Sequence, residues 1–165
     1  MAFEGRAFED DLIGLIPRLR RFARSLSGSE SDADDLCQAA LERALKARDQ
    51  WQAGTRLDSW MMKITRNIWI DSVRSSARRR TTALDDAGEI AGDGEQQVES
   101  RALRVDIDAA MDRLVDDQRE AVALVLVEGF AYKEAAEILD IPMGTLTSRL
   151  VRGREALARD LGATA

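Results

Sequence analysis

The chain is 165 residues long, with 45% hydrophobic and 33% charged residues, two prolines and one cysteine. This composition is typical of a globular protein made of one ordinary domain or two small ones, and a lone cysteine excludes an intramolecular disulfide. No apolar run approaches the roughly 20 residues that span a bilayer, and the first residues lack the pattern of a signal peptide. We therefore expect a cytoplasmic protein.

The charged residues are unevenly distributed. The net charge is −6, which by itself argues against nucleic-acid binding. Residues 51–80, however, carry seven basic and two acidic side chains, and residues 141–165 carry four and two. Residues 81–120 between these basic islands are strongly acidic. Basic islands of this kind are the electrostatic signature of phosphate binding, and the alternative is a charged surface that only faces water.

Apolar residues recur at steps of three and four along most of the chain, which predicts helices. Residues 8–27 predict a long amphipathic helix that Pro17 kinks or breaks. A second helix is predicted to start at residue 31 or 32 and to run towards residue 51, with acidic side chains near its N-terminus. A turn over 52–56 and a third helix over 57–78 follow.

Residues 81–98 differ from their surroundings, since they combine three glycines and several acidic residues with no basic residue. This composition predicts a flexible acidic linker. We therefore predict an all-α protein of two small helical domains, formed by residues 1–80 and 99–165.

The segment 130–157 has the pattern of a helix-turn-helix. A short helix over 132–139 carries the small residue Ala135, which lets a second helix cross closely. Residues 140–141 form the turn, and Pro142 suits the first position of the next helix because a missing N–H costs nothing there.

The next helix is two-sided. Its apolar side comprises Leu146, Leu150, Gly153 and Leu157. Its polar side comprises Thr145, Thr147, Ser148, Arg149 and Arg152. This is the arrangement of a recognition helix, in which arginine pairs with guanine and hydroxyls reach bases or phosphates. The weaker alternative is a helical hairpin with an exposed arginine side.

The first basic island interleaves aromatic and basic residues. Trp60 and Trp69 stand among Arg66, Arg74 and the run 78–80, a mixture that suits unpaired bases, which stack on aromatic rings. We expect Trp60 to be a core residue, whereas for Trp69 the core and base-binding interpretations remain equally open.

The order of these motifs resembles a known family. The stretches RFARSLSGSESDADDLCQAALERALKARDQW, GTRLDSWMMKITRNIWIDSVRSSARRR and DRLVDDQREAVALVLVEGFAYKEAAEILDIPMGTLTSRLVRGREAL resemble the extracytoplasmic-function (ECF) sigma factors of the sigma-70 family. The resemblance implies a sigma region 2-like first domain and a sigma region 4-like second domain. It also implies a protein that directs core RNA polymerase to promoters, in a stress-responsive regulon.

The resemblance assigns roles to individual residues. Contact with the β′ clamp helices of polymerase is implied for Asp34, Asp35, Leu36, Gln38, Arg43 and Ala44. Recognition and melting of the minus-10 promoter element is implied for Arg66, Asn67, Asp71, Arg74, Arg78, Arg79 and Arg80. Minus-35 recognition is implied for Thr145, Thr147, Ser148, Arg149 and Arg152, and the second domain is expected to dock on the β flap.

The resemblance also implies control by an anti-sigma factor, and no cofactor. The chain departs from the family pattern at Thr147, where a basic residue is frequent, and at Ala39 and Ala40, where an acidic residue followed by Thr or Val is common. The segments Ser-Leu-Ser-Gly and Asp-Asp-Gln-Arg-Glu-Ala are similar to the branch that drives the general stress response in alphaproteobacteria.

Three other classes of protein are less consistent with the sequence. A plain transcription regulator needs no segment such as 60–80 and usually has a dimerisation seam. A sigma mimic that only titrates an anti-sigma factor has no use for Arg149 and Arg152. An enzyme is disfavoured because the chain has no histidine, no Gly-rich phosphate loop and no visible metal cluster, and Cys37 lies within a helical pattern.

Overall fold

The computed structural model describes residues 2–80 and 98–162, with the side chains of residues 7–79 and 106–162. The described residues form eight α-helices in two domains and contain no strand. The all-α prediction is therefore confirmed. Residues 81–97, which make up all but the last residue of the predicted linker, lie outside the described residues, so the linker and the domain boundaries stay predictions.

The first domain consists of four α-helices. They are α1 (Ala2–Gly14), α2 (Ile16–Ser27), α3 (Glu30–Lys46) and α4 (Leu57–Arg80), with a 3-10 turn at Arg48–Gln50. Helix α3 packs against both α2 and α4. The centre of this core is formed by Leu19, Phe22, Ala40, Met61 and Met62, all without solvent exposure.

Local signals explain the helix boundaries in this domain. The predicted helix over 8–27 is divided at Leu15, and Pro17 lies in the first turn of α2, where a missing N–H is not needed. Gly28 ends α2 with a positive φ of 77°. Ser29 caps α3 by accepting a hydrogen bond from the backbone N–H of Asp32 at 3.1 Å, so α3 starts slightly before the predicted position.

The second domain also contains four α-helices. They are α5 (Val98–Arg113), α6 (Asp116–Val122), α7 (Tyr132–Leu139) and α8 (Met143–Asp160), and a π-helical turn (Ala123–Val127) extends α6. The predicted helix-turn-helix is present as α7 and α8. Asp140 makes the turn with φ of 54°. Pro142 is the N-cap of α8 and not its first helical residue, which corrects that prediction by one position.

The two domains pack against each other. Helix α4 contacts α7, and α2 contacts α5 and α6. Their buried apolar side chains form one continuous cluster. The described structure is thus a closed arrangement of both domains.

Candidate promoter and polymerase interfaces

The apolar side of α8 is buried as predicted. Leu146 and Leu150 are inaccessible to solvent, and Gly153 lies at the crossing with α6. A Cβ atom on Gly153 would lie 2.7 Å from Cγ2 of Val122. A larger residue at this position would force Val122 to shift, so the close crossing of α8 and α6 favours glycine.

The polar side of α8 faces outward at its N-terminal half. Thr147, Ser148 and Arg152 are exposed, and Thr145 is partly buried. The Thr147 hydroxyl donates a hydrogen bond to the carbonyl of Met143 at 2.9 Å, which leaves its oxygen to accept one. Arg149 lies 3.6 Å from a carboxylate oxygen of Asp117. Residues of this chemistry at the start of a second helix can read base edges in a major groove.

The minus-10 candidates follow the length of α4. Asn67, Asp71 and Arg74 are exposed on this helix, as are Arg78 and Arg79. The side chain of Arg80 lies outside the described residues. Arg66 is different, because only 17% of its side chain is exposed and its Nε donates to Oε2 of Glu120 at 3.2 Å. Glu120 belongs to the second domain, so this candidate is engaged between the domains.

The two tryptophans of α4 both pack against the core. Trp60 contacts Phe8 edge to face, with ring centroids 6.3 Å apart, consistent with the predicted core role. Trp69 packs against the core and also lines a surface groove of about 870 Å³ beside Asp35 and Leu36. Trp69 is therefore partly a core residue and partly a surface residue, so its position fits both the core and the base-binding interpretation.

The polymerase-binding candidates divide into two groups on α3. Asp34, Asp35, Gln38 and Arg43 are exposed. Leu36 and Ala44 are buried in the core, at 6% and 0% exposure. These two side chains hold α3 in the domain and do not face outward in this structure. Ala40 is likewise buried, whereas the partly buried Ala39 lines a surface groove together with Asp35 and Trp69.

Among the residues that the structure describes, five ion pairs join the two domains, and sequence reasoning predicted none of them. Arginines of the first domain meet carboxylates of the second in each case. The pairs are Arg18–Glu128, Arg21–Glu128, Arg24–Asp112, Arg56–Glu134 and Arg66–Glu120. Two features of the sequence could have indicated this interface. They are the concentration of arginines along α2 and the position of Glu128 at the end of an apolar run.

Burial, neighbouring charges and hydrogen bonds shift the pKa values of several side chains in this structure. Burial raises the pKa of the Glu120 carboxyl, and the charge of Arg66 and its hydrogen bond only partly offset this effect. Burial by itself would raise the pKa of the Asp58 carboxyl. Hydrogen bonds from Arg56, the Ser59 N–H and Arg18 outweigh burial, so the pKa of Asp58 is lowered. Burial raises the pKa of the Cys37 thiol, which disfavours a reactive thiolate.

Within the described part of the chain, no helix is long and apolar enough to cross a bilayer. The residues that the structure describes also contain no cluster of three or more potential metal ligands.

Comparison with known proteins defines the class to which this fold and these surfaces belong. The model of the family described as Sigma-70 region 2 matches residues 14–79, and that of Sigma-70, region 4 matches residues 104–157. The fold is therefore that of a sigma-70-type transcription initiation factor, a class that is not enzymatic.

Individual relatives narrow the class further. The chain is 37% identical over 155 residues to the ECF RNA polymerase sigma factor EcfG of Rhodopseudomonas palustris, covering 92% of this chain and 83% of that one. It is 32% identical to the ECF RNA polymerase sigma factor SigC of Mycobacterium tuberculosis, covering 94% and 84%. The chain belongs to the extracytoplasmic-function RNA polymerase sigma factors.

A solved structure agrees with this assignment. The structure of the sigma factor RpoE in complex with the anti-sigma factor NepR from Bartonella quintana matches with a TM-score of 0.82 and 30% identity, covering 97% of this chain and 99% of that one. The protein is thus a sigma factor that directs RNA polymerase to promoters.

Proposed function

We propose that the second domain reads the minus-35 element with the exposed polar side of α8. The observation that carries the proposal is the two-sided structure of this helix. Its apolar side is buried through Leu146 and Leu150, while Thr147, Ser148 and Arg152 face outward. Thr145 and Arg149 lie at the margin of the same surface and complete the proposed reading set.

The first domain, in the same proposal, recognises and melts the minus-10 element with the outer surface of α4. Asn67 and Arg74 are exposed there, and Asp71 lies between them. The basic run that ends α4, residues 78–80, supplies charge for the phosphate backbone. Arg66 joins this set once it separates from Glu120.

The exposed carboxylates and polar groups of α3 form the proposed contact with the β′ clamp helices of core RNA polymerase. These groups are Asp34, Asp35, Gln38 and Arg43. The second domain docks on the β flap. We further propose that the protein acts in the cytoplasm, that an anti-sigma factor controls it, and that its promoters belong to a stress response. The matched complex of RpoE with NepR supports the anti-sigma proposal.

Run-off transcription tests these roles. Purified bacterial core polymerase is combined with the full chain on a pool of promoters from the source genome. The control reaction contains the polymerase and the promoters without the chain. New transcripts that depend on both promoter elements support the proposal. If folded protein gives no transcripts with active core enzyme, the proposal fails. Binding of DNA by the protein alone then separates a plain regulator from a sigma mimic.

A further inference from the structure

Arg149 and Arg152, the two arginines of the proposed reading set, have different surroundings. The side chain of Arg149 is 26% exposed, and one of its terminal nitrogens lies 3.6 Å from Oδ2 of Asp117 on α6. Arg152 is exposed and forms no ion pair with any residue that the structure describes. A carboxylate of another helix therefore accompanies one reading arginine and not the other.

The close crossing of α6 and α8 brings Arg149 and Asp117 together. Gly153 lies one turn after Arg149 on α8. A Cβ atom at Gly153 would lie 3.4 Å from the carbonyl oxygen of Gln118, which follows Asp117 in α6. Residues four positions apart lie on the same side of a helix, so Arg149 lies beside the first turn of α6. The carboxylate is thus placed by two packed helices and not by a loop.

The carboxylate of Asp117 changes what Arg149 binds favourably. An arginine on a recognition helix pairs with the O6 and N7 atoms of guanine or contacts an anionic phosphate. A phosphate at Arg149 would also be repelled by Asp117, whereas the edge of a base carries no net charge. The ion pair involves one terminal nitrogen of Arg149. Because a guanidinium has several N–H donors, others are left for a base.

Asp116, the neighbouring acidic residue, has a different kind of partner. It lies 3.0 Å from a terminal nitrogen of Arg119, whose side chain is only 14% exposed. Arg119 also donates hydrogen bonds of 3.0, 3.3 and 2.6 Å to three backbone carbonyls at and just after the end of α5. Arg119 therefore holds α5 against α6. Asp116 supports a structural arginine, while Asp117 accompanies a reading arginine.

We propose that Asp117 is a specificity-determining residue of the minus-35 interface. It positions Arg149 through their ion pair and repels a phosphate from the same place, so that Arg149 reads the edge of a base. The inference rests on the proposed function, because it concerns the same polar side of α8. Removal of the Asp117 charge therefore weakens discrimination between minus-35 sequences and strengthens the binding of DNA of any sequence.

The test is run-off transcription with the full chain and core polymerase. The templates differ by single base pairs across the minus-35 element, and a random-sequence duplex is the competitor. The variants are Asp117→Asn, Arg149→Ala, their combination and the matched control Asp116→Asn. Both aspartate substitutions remove one negative charge from the same turn of α6, where the two side chains are 77% and 64% exposed. Circular dichroism checks that all variants remain helical.

Each variant has a defined expected result. Arg149→Ala should reduce discrimination at one base pair of the element by about fivefold to 100-fold, the range of a good base contact. Asp117→Asn should reduce discrimination at that same base pair by about two- to fivefold, the contribution of one partly exposed ion pair. It should also make transcription more sensitive to the competitor than Asp116→Asn does. Once Arg149 is replaced by alanine, Asp117→Asn should have no further effect on discrimination.

Several outcomes overturn the inference. Equal discrimination by Asp117→Asn and Asp116→Asn overturns the positioning role of Asp117. Lower discrimination without greater sensitivity to the competitor overturns the repulsion of phosphate. An effect of Asp117→Asn that persists in the combined variant shows that the carboxylate does not act through Arg149. If Arg149→Ala changes no base preference, the inference fails together with the reading role of Arg149.

Failure of the inference and failure of the proposed function give different results. Wild-type transcription that does not depend on the minus-35 sequence refutes the proposed function. Wild-type discrimination that Arg149→Ala weakens and Asp117→Asn leaves unchanged refutes only the role of Asp117.

Discussion

Arg21 and Glu128 form a two-pronged ion pair across the domain interface, with Nε 2.8 Å from Oε1 and the second nitrogen 2.9 Å from Oε2. The two residues are 107 positions apart in the chain. The hydrogen bond to Glu128 raises the pKa of Arg21, so the arginine remains charged under all ordinary conditions. Because the Glu128 side chain is fully buried, loss of its partner Arg21 would leave an uncompensated buried charge, which costs more free energy than breaking an exposed pair.

Loss of the Glu128 charge is expected to destabilise the protein. We predict that Glu128→Gln lowers the free energy of unfolding by about 1–3 kcal/mol, less than a fully buried pair because Arg21 is half exposed. Urea denaturation followed by circular dichroism measures this change. Asp160→Asn, at the partly exposed pair with Arg113, is expected to cost about 0.5 kcal/mol or less. Equal effects of the two substitutions would contradict the prediction.

Glu120 gives the stability a defined pH dependence. Burial raises its pKa above the ordinary value of 4.5, so the folded state binds a proton more readily than the unfolded state. Its contribution is therefore fully present below pH 4.5 and is lost as the pH rises through the folded pKa. We predict that the difference in unfolding free energy between wild type and Glu120→Gln falls as the pH is raised from about 4 to about 7. A difference that rises with pH would refute this.

Asp58 is expected to act in the opposite direction. Burial alone would raise its pKa, but hydrogen bonds from Arg56, the Ser59 N–H and Arg18 lower it below the ordinary value of 3.8. Its contribution is present above pH 3.8 and is lost as the pH falls through the folded pKa. The stability of wild type relative to Asp58→Asn should therefore decrease on acidification. Urea denaturation in the same buffers measures the stability of wild type relative to Glu120→Gln and to Asp58→Asn. If both stability differences change with pH in the same direction, the predicted direction of the pKa shift is wrong for one of the two carboxylates.

Gly153 is required by the packing of α8 on α6. An added Cβ would lie 2.7 Å from Cγ2 of Val122 and 3.4 Å from the carbonyl oxygen of Gln118. We predict that Gly153→Ala destabilises the protein by about 1–3 kcal/mol through overpacking, although alanine is the better helix former. Gly144→Ala is the matched control, since a methyl group at that position would have no neighbour within 4 Å. Thermal unfolding of both variants tests the difference, and similar melting temperatures would contradict it.

Arg152 is expected to contribute to promoter choice and not to stability. It is exposed on the polar side of α8. Arg152→Ala should reduce the preference for the best minus-35 sequence by about 1–3 kcal/mol if the side chain contacts a base. Run-off transcription on templates that differ only in the minus-35 element measures this preference. Arg159→Ala, near the far end of the same helix, is the control. Unchanged discrimination would remove Arg152 from the reading set.

Local patterns determined most of the architecture. Three- and four-residue spacing predicted the helices because the buried side of each helix selects apolar residues at those intervals. The helix-turn-helix was predictable from the small Ala135, the turn at Asp140 and the two-sided pattern from Thr145 to Arg152. Pro17 marked the division between α1 and α2, and only the precise ends of the helices differed.

The tertiary structure alone decided which charges meet. Nothing in the sequence pairs Arg21 with Glu128 or Arg66 with Glu120, because an ion pair between distant residues has no period and the chain is rich in both charges. The structure also buried Leu36 and Ala44, two residues assigned to a polymerase contact by resemblance. Helix formation is governed by neighbours in the chain, whereas the charge pairing between domains follows from how two finished helical units pack, and that information exists only in three dimensions.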